Sequence, residues 1–239
     1  MKQLLIIFIW LTLMISCKKE SITEPSSTGT INLSIGYEAD GNSIQLDSIM
    51  YPLDSGCRIS IETLHYYLSE IKLIRSDGLE VLIKNFQYVS IRKPETNVFS
   101  SGLILQGEYK GVKFNFGLDS LHNIPDGLPN STENNNMIWP VPMGGGYHFM
   151  KFEGHFTDSS GTFGYAMHLG KNENLFTIQL DTNFVIGDNA LNIPLVMNLN
   201  EWFRNPFIYD FNIDGNYSMG SSAAMAKLKA NGVDIFHFQ

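Results

Sequence analysis

The chain has 239 residues, of which 24 are Asp or Glu and 16 are Lys or Arg, so its formal net charge is −8. This acidic balance excludes binding of nucleic acid through its phosphates. The only cysteines are Cys17 and Cys57, which excludes a disulfide-rich scaffold. Stability must therefore come from a hydrophobic core.

The first residues predict an export signal. Lys2 precedes an apolar run from Leu4 to Ile15, and Cys17 follows it. The run is shorter than the ~20 residues that a membrane-spanning helix needs. The pattern resembles a bacterial lipoprotein signal over residues 1–16, with Cys17 lipidated and residues 17–29 as a polar linker. An ordinary secretory signal is the alternative.

Such an anchor would hold the protein in the cell envelope, on the outer membrane, facing either the periplasm or the cell surface. Removal of residues 1–16 takes away only Lys2 among the charged residues, so the mature side chains sum to 15 − 24 = −9. After acylation of Cys17, Cys57 is the remaining cysteine, and we interpret it as a buried structural thiol.

Alternation of apolar and polar residues predicts a series of short β-strands. They are expected at residues 31–37, 58–74, 79–83, 86–91, 111–117, 147–156, 164–170, 175–180 and 190–197. Gly, Asn and Asp between them favour an all-β, antiparallel β-sandwich over a parallel α/β sheet. One helix is predicted at residues 221–231, between a Ser cap and Gly232. No internal repeat or linker divides residues 30–239, which we expect to form one domain.

The segment at residues 134–156, NNNMIWPVPMGGGYHFMKFEGHF, concentrates Trp139, two histidines and three consecutive glycines. Its second half alternates like a strand. Strict alternation places His148 on the face opposite to Lys151 and Glu153.

Histidines are the candidate metal ligands. Each of the six is, by itself, better explained as an ordinary surface or core histidine. His122 follows the end of a predicted strand, however, and His168 lies within one between apolar neighbours. Imidazoles on adjacent strands, about 4.8 Å apart, can converge on one cation. Sites rich in histidine suit copper or zinc.

An enzyme is not expected. The sequence contains no nucleophile elbow, phosphate-binding loop, dinucleotide fingerprint or paired metalloprotease histidines. No spacing of Ser, His and Asp favours a catalytic triad.

Several separated motifs occur in the order seen in one family. They are Tyr51, HYYLSEIKLIRSDG at 65–78, FGLDSLHN at 116–123, MIWPVPMGGGYHFMKFEG at 137–154 and MHLG at 167–170. Together they resemble the MbnP-like proteins across residues 30–239. This resemblance implies a copper-binding protein found beside a di-haem peroxidase-like partner, which converts a tryptophan to kynurenine at the copper site.

Carried over by position, the resemblance implies Trp139, His122 and His168 as the metal site, supported by His148. Kynurenine would offer an aryl amine nitrogen and a ketone oxygen, whereas indole offers only an N–H donor. The chain departs from the family pattern at Ile138, where an aromatic residue is usual, and it lacks a four-cysteine framework.

A surface β-sandwich module that binds a protein or glycan, with no metal, is the alternative function. Exposed clusters of Tyr or Trp would favour that alternative. Converging histidines would favour the metal site.

Overall fold

The computed structural model describes residues 27–239, which form two main β-sheets and three short α-helices. The strands are β1 (Thr28–Gly29), β2 (Ile31–Ala39), β3 (Asn42–Ser43), β4 (Tyr51–Pro52), β5 (Arg58–Ile59), β6 (Thr63–Arg75), β7 (Glu80–Ser90), β8 (Val98–Ser100), β9 (Ile104–Leu105), β10 (Gly107–Phe116), β11 (His148–Asp158), β12 (Gly161–Gly170), β13 (Phe176–Ile186), β14 (Leu191–Asn198) and β15 (Phe236–Phe238). The helices are α1 (Thr132–Asn136), α2 (Phe211–Asp214) and α3 (Ser222–Asn231), with 3₁₀ turns at Pro94–Thr96, Val141–Met143, Asn172–Asn174, Leu199–Phe203 and Gly232–Asp234.

Strand β6 organises the larger, eight-stranded sheet. One of its edges pairs with β7, and the other is divided between β11 at residues 63–66 and β10 at residues 68–75. Strand β12 pairs with the far edge of β11, and β13 with the far edge of β10. All these pairings are antiparallel. The sheet therefore forks beside β6.

Gly117 lies at the fork, immediately after β10. Its N–H donates to the Tyr67 carbonyl at 2.8 Å, and its φ of +107° turns the chain away from the sheet. A Cβ atom here would lie 2.5 Å from the ring of Phe149. Only glycine combines this backbone conformation with so close a ring.

The smaller sheet contains β15, β14, β2 and β3 in that order, with β8 also on β2. It packs on the larger sheet through apolar and aromatic side chains. Tyr37 and Tyr66 bring their hydroxyl oxygens to 3.2 Å, and the rings of Phe114 and Phe236 meet at 5.3 Å. The predicted all-β sandwich with one C-terminal helix is confirmed.

One pairing differs from the antiparallel expectation. Strands β2 and β14 run parallel, from Ile31 beside Leu191 to Glu38 beside Asn198. Alternation along a strand predicts which residues face the core, but it carries no information on the direction of a partner that lies about 160 residues away in sequence.

Most strand boundaries differ from the sequence prediction by a few residues, and two differences are larger. The expected strand at 58–74 is divided into β5 and β6, while the expected strands at 79–83 and 86–91 are one continuous strand, β7. The helix prediction is confirmed by α3, whose cap Ser221 accepts a hydrogen bond from the Ala224 N–H at 3.2 Å. Cys57 is buried, as predicted.

The predicted signal peptide and Cys17 lie outside the described residues. Of the predicted linker, Thr28–Gly29 forms strand β1 and pairs with β9. Within residues 27–239, no helix has the length and apolar character needed to cross a bilayer.

The fork at Gly117 gives a stability prediction. We expect Gly117→Ala to lower the free energy of unfolding by about 2–4 kcal/mol, because it adds backbone strain to overpacking against Phe149. Gly102→Ala is the matched control, since a Cβ there meets nothing within 4 Å. Urea unfolding of both variants measures the difference. Equal stabilities would contradict the role given to Gly117.

Candidate metal centre

Trp139 is fully buried at the start of a loop that returns to β11. Its backbone N–H donates to the Gly146 carbonyl at 2.8 Å, and its indole N–H donates to the Met143 carbonyl at 3.2 Å. A 3₁₀ turn at Val141–Met143 and three glycines at 144–146, all with positive φ, reverse the chain between these bonds. The glycine run therefore forms a loop that closes over the tryptophan.

The indole of Trp139 packs on the end of β12 and on His148. A Cβ atom at Gly170 would lie 2.5 Å from the indole ring, so the tryptophan lies directly on the backbone there. The ring centroids of Trp139 and His148 are 4.7 Å apart. Trp139 thus forms a wall of a small buried site.

His148 turns towards His168, with ring centroids 5.0 Å apart and an interplanar angle of 88°. This position corrects the prediction from strict alternation, because His168 is the register partner of Lys151 and binds Glu153. The reason is an irregularity in the β11 and β12 pairing between His148 and Met150, which interrupts the period of two.

The backbone near Met137 sets the tautomer of His148. Nδ1 of this imidazole lies 3.1 Å from the Met137 carbonyl oxygen, which can only accept, so Nδ1 carries the proton. The lone pair of neutral His148 is then on Nε2. Burial lowers the pKa of His148 to about 4, and the charge of nearby His168 contributes. His148 is therefore neutral near pH 7.

Glu153 orients His168 in the same way. Its carboxylate oxygen lies 2.8 Å from Nε2 of His168, and this hydrogen bond lowers the pKa of Glu153. The neutral imidazole then has its lone pair on Nδ1. Within residues 27–239, this Nδ1 is buried and has no hydrogen-bond partner. Leaving a buried polar atom unpaired costs about 1–3 kcal/mol, so it requires an explanation.

His148 and His168 together have the arrangement typical of metal-ligating histidines. Such residues usually donate one ring N–H to a backbone carbonyl or a carboxylate, which leaves the other nitrogen for the metal. The buried, unpartnered Nδ1 of His168 fits a metal, and a pair of imidazoles suits copper or zinc.

His122 is not brought to this pair. Its Nδ1 lies 2.7 Å from the Asp119 carboxylate, and its ring packs against Phe86 at 5.3 Å. In the described part of the chain, no hydrogen bond or ring contact joins it to Trp139, His148 or His168. The next residue, Asn123, does contact the glycine loop, accepting a hydrogen bond from the Tyr147 N–H at 2.8 Å.

The described chain contains no group of three or more His, Cys, Asp or Glu residues placed to hold a metal ion. The donors that can be assigned here are the two imidazoles. A third donor would have to come from Trp139 in a modified form or from outside the chain.

The sequence patterns did not identify Glu153 and Met137 as the residues that orient the two histidines. Glu153 did carry a signal, because it lies with Lys151 in a strand whose other residues are mostly apolar. A charged residue in such a strand needs a polar partner. The Met137 carbonyl had no signal, since any residue provides one.

The lowered pKa of His148 predicts a pH dependence of stability in the metal-free protein. The pKa of His148 is near 6.5 in the unfolded chain and about 4 in the folded protein. As the pH falls from 6.5 to 4, the unfolded state binds more protons than the folded state, so the free energy of unfolding decreases. The total decrease is about 3 kcal/mol.

Replacement of this imidazole by an amide should remove this part of the pH dependence. NMR titration of His148 and urea unfolding of the wild type and His148→Gln between pH 7 and pH 4 provide the test. A His148 that titrates near 6.5 would contradict the burial argument.

Comparison with known proteins agrees with this fold. The sequence profile of the MbnP family matches residues 28–221. The structure is similar to that of MbnP from Methylosinus trichosporium, with a TM-score of 0.50 and 12% sequence identity over 77% of this chain and 80% of that one. At this identity the similarity concerns the fold alone. No curated protein matches the sequence. Because the profile covers most of the chain, the protein belongs to the MbnP family.

Proposed function

We propose that the protein binds copper between His148 and His168, beside Trp139, and acts as a metal-binding protein rather than an enzyme. The observation that carries this proposal is the buried, unpartnered Nδ1 of His168, next to a second imidazole whose Nε2 has the lone pair. Imidazole nitrogen suits both copper and zinc, and copper(II) is favoured because it generally binds such sites more tightly than zinc does. The resemblance to copper-binding partner proteins supports the same metal.

His148 and His168 would hold the ion, and Glu153 and the Met137 carbonyl would keep their rings oriented. The His122 assignment made from the resemblance is not part of this ligand set, because its recorded contacts are with Asp119 and Phe86. When bound, copper would provide a redox-active cation inside the sandwich.

Trp139 requires modification to take part. Its indole N–H already donates to the Met143 carbonyl and has no lone pair for a metal. Conversion to kynurenine would supply an amine nitrogen and a ketone oxygen close to His148. The ring centroids of Trp139 and His148 are 4.7 Å apart. We propose a di-haem peroxidase-like partner as the oxidant, as the family resemblance implies.

The proposed location is the cell envelope, with the lipidated Cys17 anchored in the outer membrane. This part of the proposal rests on the export signal in residues 1–17. The acidic net charge of −8 supports a role without nucleic acid.

A surface module that binds a protein or glycan without metal is less well supported. Such a module would present exposed Tyr or Trp side chains in a cluster. Both tryptophans of the described chain, Trp139 and Trp202, are fully buried, whereas two histidines converge. The convergence of His148 and His168 favours the metal site.

Calorimetric titration of copper(II) into the chelator-treated full chain tests the ligand assignment. We expect the double variant His148→Ala, His168→Ala to lose the tight site. Glu153→Gln should weaken binding by about 10–100-fold, because His168 loses its orienting acceptor. His155→Ala is the control, since His155 pairs with Glu62 away from these rings.

His122→Ala separates the structural assignment from the one made by resemblance. We expect it to keep copper affinity near that of the wild type. Unchanged affinity in the double variant, with thermal unfolding showing that it is folded, would overturn the proposed ligand pair.

The state of Trp139 is tested separately by peptide mass spectrometry of protein from its natural host. Kynurenine formation adds one oxygen and removes one carbon, and we expect this change in the peptide that contains Trp139. An unchanged mass would remove the modified tryptophan from the site and leave the two histidines as its ligands.

A further inference from the structure

A second polar site adjoins the candidate metal centre. A pocket of about 280 Å³ opens between β6, β7, β11 and α1. Its lining includes Thr63, His65, Tyr88, Lys93, Lys151 and Glu153. It also includes Met137, so the residues that orient His148 and His168 both reach this pocket.

The register of the sheet places Lys151 at the centre of this arrangement. Lys151 on β11 pairs with His65 on β6 and with His168 on β12. Glu153 follows two residues later on the same strand face, and it binds His168. His65, Lys151 and His168 thus form a row across three adjacent strands, from the pocket to the candidate metal centre.

The charges in the pocket are unevenly compensated. Lys93 forms an ion pair with Glu133 at 2.5 Å, and Glu153 is bound to His168 at 2.8 Å. Within residues 27–239, the half-buried side chain of Lys151 forms no ion pair. The Glu153 carboxylate also lines the pocket and interacts with the Lys151 charge from beyond ion-pair distance, but it is bound to His168. The Lys151 ammonium is therefore left with hydrogen-bonding capacity for an anion.

Hydrogen-bond donors line the same pocket. The hydroxyl of Tyr88 lies 2.6 Å from Nδ1 of His65. Burial lowers the pKa of His65, and the charge of Lys151 lowers it further. When Tyr88 donates to Nδ1, the proton of neutral His65 is on Nε2, where it can be donated to a ligand. The Thr63 hydroxyl is a further donor in the pocket lining.

We propose that this pocket binds a small oxyanion, of the phosphate or carboxylate type, with Lys151 as its main charged contact and His65 and Thr63 as hydrogen-bond donors. A small anion fits better than a second cation, because both carboxylates of the lining are already bound, Glu133 to Lys93 and Glu153 to His168, and the Lys151 ammonium would repel a metal ion. This site is separate from the proposed copper site and is testable without metal.

NMR titration of the full chain, stripped of metal with a chelator, tests the pocket. Inorganic phosphate and acetate are added in parallel, and sodium chloride at matched ionic strength controls for screening, up to about 0.15 M. We expect saturable shifts at His65 and Lys151 with phosphate or acetate and none with chloride. The anion that saturates identifies the ligand type.

Lys151→Gln should weaken binding at least about tenfold, because a hydrogen bond to a charged group contributes about 1.5–3 kcal/mol. Lys151→Arg keeps the charge and should retain binding. Lys110→Gln is the matched control on the exposed surface. The amide spectrum establishes that each variant is folded.

Two results would overturn the anion pocket. One is the absence of saturable shifts, or equal shifts with chloride. The other is the same affinity in Lys151→Gln as in the wild type. Because copper is absent from this experiment, its failure would leave the metal proposal standing, and failure of the metal proposal would leave the pocket standing.

Discussion

The pairing of β11 with β6 on one edge and β12 on the other is the constraint on which both sites depend. It sets Lys151 between His65 and His168 and places Glu153 diagonally from His168. Cross-strand neighbours lie about 5 Å apart, and diagonal neighbours are within reach of long side chains. A slip of one residue would move these side chains to the other face of the sheet. The apolar residues that alternate with them, such as Phe152 and Met167, hold the register because both are fully buried.

Departures from regular sheet geometry shape the surroundings of the proposed metal centre. The irregularity after His148 turns its ring towards His168, and the fork at Gly117 lets Phe149 pack where two strands diverge. The glycine loop then returns the chain so that Trp139 lies against Gly170. At His148, a regular strand would carry the side chain to the face opposite to His168. The candidate site therefore depends on local irregularities in the sheet.

The sequence predicted much of this fold because alternation over long strands reports burial directly. Strands β2, β11 and β12 follow from such patterns, whereas helix α3 follows from its Ser cap and the glycine after its end. Alternation does not report long-range partners, so the parallel pairing of β2 with β14 could not be predicted. It also assumes an unbroken period, which is why His148 was assigned to the wrong face. The family resemblance led to Trp139 and His168, whereas the importance of Glu153 emerged only from its hydrogen bond.

Copper binding as proposed requires His148 and His168 to present one free nitrogen each to the same ion. Anomalous diffraction at the copper absorption edge, from crystals grown with copper(II), locates that ion directly. We predict one anomalous peak within bonding distance of Nε2 of His148 and Nδ1 of His168, beside Trp139. A peak at His122, or none between the two imidazoles in protein that holds copper in solution, would contradict it.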